Sequence, residues 1–271
     1  MHSLRLQWSV HERAWCALLL ESTESIRAET ALDMALVGFS HIATPHRRTC
    51  SISIVACTRN NFLRKYLSLA KYPWTDPAFM VSRGYYHVFL SVGNSFGAPK
   101  AIDKLGAFHK MLVERGFHPQ AVLIGISRGG LYAHRYAATY PERVSVIYDD
   151  AAVLDYQSRP GGKGKGKGSP GDWQELIRWY GFDNDEQAAE YPHTPLKTLG
   201  LLAKNKIAIL SVVGDSDDVV PVEENTAVAE KLYKEFGGVF EVIHKPGVGH
   251  HPHGLDDPTP VVEFIEKYTL Q

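Results

Sequence analysis

The chain has 271 residues, long enough to bury a sizeable core within one domain. Hydrophobic residues make up 44% and charged residues 22%, the balance of a globular protein rather than a disordered or fibrous one. Its 29 Lys and Arg against 30 Asp and Glu leave a net charge of −1. No field of one sign therefore draws in nucleic acid or an anionic membrane, and neither is expected as a partner.

The first 75 residues carry the weakest pattern. An apolar run at 14–20 is too short to span a bilayer, and His11, Glu12 and Arg13 beside it with no small-x-small cleavage site make a poor signal peptide. The expectation is a soluble, cytoplasmic protein. Three cysteines, Cys16, Cys50 and Cys57, are an odd, scattered set with neither a disulfide framework nor a C-x-x-C pair, as expected of buried thiols. Residues 1–50 receive no firm structure beyond a candidate strand at 33–42. "SISIVAC" (51–57) reads as a strand and "FLRKYLSLAKY" (62–72) as a helix.

From residue 85 the alternation becomes regular. Strands are expected at 86–92, 121–126, 144–150, 207–213 and 239–245, and helices at 100–116, 129–140, 221–236 and 259–268. Continuous β-branched runs between amphipathic helices predict an α/β fold, with a mostly parallel sheet covered on both faces. Nothing resembling a linker divides the chain, so residues 51–271 are taken as one domain. Between 154 and 200 the pattern lapses. "SRPGGKGKGKGSPGDW" (158–173), with Lys163, Lys165 and Lys167 at every second place, is expected to be a mobile loop, solvated or attracting an anionic substrate. "DWQELIRWYGF" (172–182) reads as a short helix, and the whole excursion as a cap over the sheet's edge.

The motif with most chemical content is "IGISRGG" (124–130), in which Gly125 to Gly129 fits G-x-S-x-G. It follows an apolar strand and opens a helix, the setting a nucleophile elbow requires. A serine on so tight a turn adopts a strained backbone, and its flanks have no room for side chains. The helix N-terminus behind Ser127 adds partial positive charge where an oxyanion would develop.

Such a serine needs a base, and the base an orienting acid, in chain order Ser, Asp, His. "SVVGDSDDVVP" (211–221) supplies three aspartates after a strand. The G-x-x-D pattern followed by an apolar residue and proline favours Asp217, with Asp218 the second choice. Asp215 is expected to brace the loop through backbone N–H groups. "GVGHHPHG" (247–254) follows the last strand and puts His250 in the base's place, with His251 the fallback. His251 and His253, with Asp256 and Asp257 nearby, leave a metal site as the competing reading, but no H-E-x-x-H or paired carboxylate motif supports it.

The order and spacing of these three loops resemble the α/β-hydrolase superfamily. The longer strings "VSVIYDDAAVLDYQSRPGGKGKGKG" and "KPGVGHHPHGLDDPTPVVEFI" resemble a bacterial esterase branch found with polysaccharide-degrading genes. The resemblance covers about residues 73–270. It implies Ser127 as nucleophile, Asp217 as acid, His250 as base, no metal or organic cofactor, and a carbohydrate ester carrying an acetyl or other small acyl group. In that family a glycine-rich loop after an early strand donates one oxyanion-hole N–H. Here the equivalent stretch, "ACTRNNFLRKYLSLAKYPW" (56–74), has no glycine. The Arg128 backbone N–H keeps the first donor's place, and Thr58 or Arg59 is left as candidate for the second. Losing one donor costs about 3–4 kcal/mol of transition-state stabilisation. A non-catalytic binding protein on the same fold is therefore the rival from another class. A triad alone also does not separate ester from peptide or carbon–carbon hydrolysis. In the cap, Trp173 and Trp179 are the candidates for stacking on a sugar, a role that core packing explains equally well.

Overall fold

A computed structural model describes residues 49–54, 85–88, 90, 92–114 and 116–269. The expected strand at 33–42 and helix at 62–72 lie outside the described residues. Six strands form one sheet: β1 (Thr49–Ile54), β2 (Tyr85–Val88), β3 (Ala121–Ile126), β4 (Val144–Asp150), β5 (Ala208–Gly214) and β6 (Phe240–Lys245). Their order is β2-β1-β3-β4-β5-β6, and every neighbouring pair is parallel. The chain builds outward from β1 in one direction and then, from β3 onward, in the other. The crevice at that reversal is where open α/β sheets bind ligands.

Residues along the central strands alternate between the two faces of the sheet. Ala121, Leu123, Val144, Ile147 and Ile209 join a large core with helices α1 (Pro99–Glu114) and α2 (Gly129–Thr139). Val122, Val146, Tyr148, Leu210 and Val212 point the other way, against Val261, Phe264 and Ile265 of the last helix. Both faces are thus covered, which is why the strands read as continuous apolar runs rather than alternating ones. Among the described residues, no helix is long and apolar enough to cross a membrane.

The excursion between β4 and β5 contains three helices: α3 (Pro170–Tyr180), α4 (Asp185–Glu190) and α5 (Pro195–Lys204). Its glycine-rich loop is tied down along its length, contrary to the mobile loop expected. Lys163 pairs with Asp185 at 2.6 Å, Lys165 with Glu223 at 3.2 Å, and Lys167 with Asp218. The Glu224 carboxylate accepts from Ser158 Oγ at 2.5 Å and from the backbone N–H groups of Lys165 and Gly166. Glycines let the backbone pass close to that carboxylate; a Cβ on Gly164 would lie 2.2 Å from Glu224 Oε1.

The single helix expected at 221–236 is broken. A 3₁₀ turn, Val222–Glu224, precedes α6 (Thr226–Glu235), and Asn225 between them has φ −121° and ψ −90°. Its fully buried side chain is engaged elsewhere: Oδ1 accepts from the N–H groups of Leu154 and Asp155 at 2.9 and 3.0 Å, and Nδ2 donates to Pro221 O at 3.0 Å. The last helix, α7 (Thr259–Thr269), follows β6. Asn225→Ala strips the Leu154 and Asp155 amides of their acceptor and is expected to lower unfolding free energy by about 2–3 kcal/mol in urea titrations. Asn225→Asp keeps the acceptor oxygen but loses the Nδ2 donor to Pro221 O, so it should not restore the wild-type stability.

Candidate active site

Ser127 lies between β3 and α2 at φ +50°, a left-handed conformation that side-chain-bearing residues rarely adopt. The flanking glycines leave no room for a methyl group. A Cβ on Gly125 would lie 2.8 Å from Asp149 Oδ1, and one on Gly130 would lie 2.7 Å from Ala152 Cβ. Backbone bonds hold the turn against the chain leaving β4: Ser127 N–H donates to Asp150 O at 2.8 Å, and Val153 N–H donates to Ser127 O at 2.8 Å. The Arg128 N–H opens α2 and has no acceptor among the described residues.

Strand register brings the other two loops to the same end of the sheet. The Ser216 N–H donates to Val248 O at 2.9 Å, so the loop after β5 lies directly on the loop after β6. Across this junction His250 Nδ1 stands 2.8 Å from Asp217 Oδ2, and His250 Nε2 stands 3.0 Å from Ser127 Oγ. A carboxylate only accepts, so Nδ1 carries the proton and Nε2 accepts from the hydroxyl. The other Asp217 oxygen accepts from Val219 and Val220 N–H at 2.9 and 2.8 Å. Burial by itself would raise the Asp217 carboxyl, but the bond from His250 and the Val220 and Val219 amides outweigh it, and its pKa lies below the ordinary value.

The competing aspartates are engaged elsewhere. Asp215 accepts from His244 Nδ1 at 2.6 Å on the exposed side of β6, so its side chain does not brace the loop as expected; Asp217 does that. Asp218 pairs with Lys167. His251 is exposed, and burial together with the neighbouring His253 and His250 lowers its pKa. His253 is buried, with Nδ1 3.0 Å from Asp150 Oδ1. Asp150 Oδ2 also accepts from Gly254 N–H at 2.5 Å and Tyr148 Oη–H at 3.1 Å. Sequence reasoning passed over this buried carboxylate. The available signal was "YDD" closing an apolar strand, since an acid buried there requires donors.

A cavity of about 270 Å³ opens beside these three side chains, lined by Ser127, Arg128, His250 and His251 together with Val153, Arg159, Pro160 and Val219. The Arg128 guanidinium crosses the Phe96 ring at 4.6 Å and donates to Asp172 at 2.6 Å and to Asn94. It thereby fastens α3 of the cap to the serine turn. Neither tryptophan expected to meet a sugar lines this cavity. Trp173 is buried in the cap, its Nε1–H donating to Asp185 at 2.9 Å, and Trp179 is exposed near Gly93. The three loop lysines are engaged with the chain's own acids. Thr58 and Arg59 lie outside the described residues.

Solved structures share this architecture. A truncated carbohydrate esterase from gut microbiota superposes with a TM-score of 0.64 at 17% identity, covering 88% of this chain and 90% of that one. The chain has the α/β-hydrolase fold. An esterase from Pyrococcus furiosus matches the hydrolase fold at 18% identity and a TM-score of 0.54 over 82% of this chain and 84% of its own. A puromycin-hydrolyzing peptidase from Mycobacterium tuberculosis matches at 16% identity and a TM-score of 0.59 over 86% of this chain; the chain spans only 36% of that peptidase's length. No protein-family model and no curated protein matches the chain.

Because the native Asp217 pKa is depressed, the stability it contributes is fully present above the unfolded carboxylate value, about 3.9. That contribution is lost as pH falls below this value and through the native one. Urea midpoints measured across the acid range should therefore fall more steeply for the wild type than for Asp217→Asn.

Proposed function

We propose that this protein hydrolyses carboxylic esters through an acyl-enzyme. The observation that carries the reading is the continuous contact from Ser127 Oγ through His250 to Asp217, at 3.0 and 2.8 Å. His250 Nε2 takes the hydroxyl proton as Ser127 attacks the acyl carbon, and the tetrahedral oxyanion accepts from Arg128 N–H. His250 then delivers the proton to the leaving alcohol, and water repeats the sequence to release the acid. Asp217 stays ionised throughout and stabilises the imidazolium. Thr58 is the residue we assign to the second oxyanion donor, by its place in the chain.

For the substrate, we favour a small acyl ester of a carbohydrate. Two things support this: the limited cavity at the serine, and the similarity to a carbohydrate esterase over most of both chains. With Trp173 and Trp179 away from the cavity, contact with the sugar falls to its lining, chiefly Arg159 and Pro160. The match to a peptidase motivates a second reading, amide hydrolysis at the same serine.

Purified protein should turn over p-nitrophenyl acetate and be labelled by a fluorophosphonate at Ser127. Ser127→Ala should lose at least about a thousandfold in kcat/KM. Asp217→Asn, which leaves His250 without its orienting carboxylate, should lose up to about 10⁴-fold. Full turnover by Ser127→Ala ends this mechanism. Silence toward every ester and probe favours a binding protein, and faster cleavage of peptide p-nitroanilides favours the peptidase reading.

A further inference from the structure

The histidine loop carries more imidazole than acyl transfer uses. His250, His251 and His253 bring ligand-capable nitrogens within 4.8 Å of one another. Their ring centroids are 4.6–5.0 Å apart and the ring planes are inclined by 71–83°, so the rings meet edge to face instead of stacking.

Two of the three rings are oriented by buried carboxylates. His250 Nδ1 meets Asp217 at 2.8 Å and His253 Nδ1 meets Asp150 at 3.0 Å. A carboxylate on Nδ1 fixes an imidazole so that Nε2 becomes the ligating nitrogen, the arrangement found behind zinc-bound histidines. Both carboxylates are themselves anchored, Asp217 by two backbone amides and Asp150 by Gly254 N–H and Tyr148 Oη–H. The third ring, His251, is exposed and can turn to complete the set. Nitrogens around one tetrahedral ion at about 2.05 Å stand about 3.4 Å apart. The three nitrogens, within 4.8 Å of one another, therefore have to close by up to about 1.4 Å.

We propose that His250, His251 and His253 form a binding site for a divalent transition metal of the zinc class, and that occupancy switches the hydrolase off. Imidazole donors suit zinc, nickel and copper ions rather than magnesium or calcium. The switch follows from one shared atom. His250 Nε2 accepts the Ser127 proton, and a nitrogen whose lone pair ligates a metal cannot accept a proton. Metal binding stands on the geometry alone, whereas the inhibitory consequence rests on the proposed esterase reaction.

The test uses the intact protein, freed of metal by chelator and dialysis. Calorimetric titration with zinc chloride should give one ion per chain, and cobalt(II) should develop the visible bands of a tetrahedral nitrogen site. His251→Ala, an exposed substitution whose fold can be checked by circular dichroism, should bind zinc at least about tenfold more weakly. Asp217→Asn should weaken binding about 10–100-fold by removing the support behind His250. Ser127→Ala, which removes the hydroxyl competing for His250 Nε2, should bind at least as tightly as the wild type. Hydrolysis of p-nitrophenyl acetate should fall in step with occupancy and return with chelator.

No uptake at millimolar zinc, or equal affinity in His251→Ala, overturns the site. Saturation with unchanged or increased turnover overturns the switch. Zinc binding without any ester hydrolysis would leave the site standing and remove the esterase; ester hydrolysis by a protein that takes up no zinc would do the reverse.

Discussion

Asp150 is the residue on which the site's geometry depends. Its carbonyl oxygen accepts from Ser127 N–H, fixing the serine turn, and its carboxylate accepts from His253 and Gly254, fixing the histidine loop. Ser127 and His250 are 123 positions apart in the chain, yet both loops are referenced to this one buried residue at the end of β4. A hydroxyl and an imidazole have to be held to a few tenths of an ångström for proton transfer, and a shared rigid anchor achieves this better than two independent loops. The strain at Ser127, φ +50°, is held in place by the same contacts.

The cap is joined to this frame by charge. Arg128, the residue after the serine, reaches Asp172 on α3 and Asn94 on the loop after β2, while Asn94 Nδ2 donates to Glu175 at 2.5 Å. The lysine loop is held by Asp185, Glu223, Glu224 and Asp218, which come from α4 and from the segment leading to α6. Exposed ion pairs contribute little singly. The convergent hydrogen bonds of this arrangement, where Glu224 gathers Ser158 and two amides and Asn225 gathers two more, give the loop its shape. The cavity wall at Arg159 and Pro160 is a consequence of that shape.

The strands and helices were legible because burial on both sheet faces writes itself into apolar runs, and from β3 onward the expected bounds lie within two residues of those observed, except at the start of α6, which comes five residues later than expected. The serine turn was legible because glycines at 125 and 130 answer a local steric demand. Partnerships across long sequence separations left no periodic trace. The Lys-Gly repeat looks like a flexible tip until its four acids, 22 to 59 positions away, come into place. Likewise Asn225 sits in a helix-compatible string, and only the amides of Leu154 and Asp155 explain why the helix breaks there. Trp173 read as a sugar platform because composition cannot distinguish an aromatic facing a ligand from one packed against Tyr156 at 6.1 Å.

The proposed chemistry depends on which ring nitrogen of His250 carries the proton at neutral pH. Nitrogen-15 NMR of protein labelled at histidine, with His250 assigned by substitution, reads this directly. The arrangement described here requires the Nδ1–H tautomer, a low-field Nδ1 proton that disappears in Asp217→Asn, and an unprotonated Nε2 facing Ser127. A neutral His250 protonated on Nε2, or one whose Nδ1 proton is indifferent to residue 217, would contradict it.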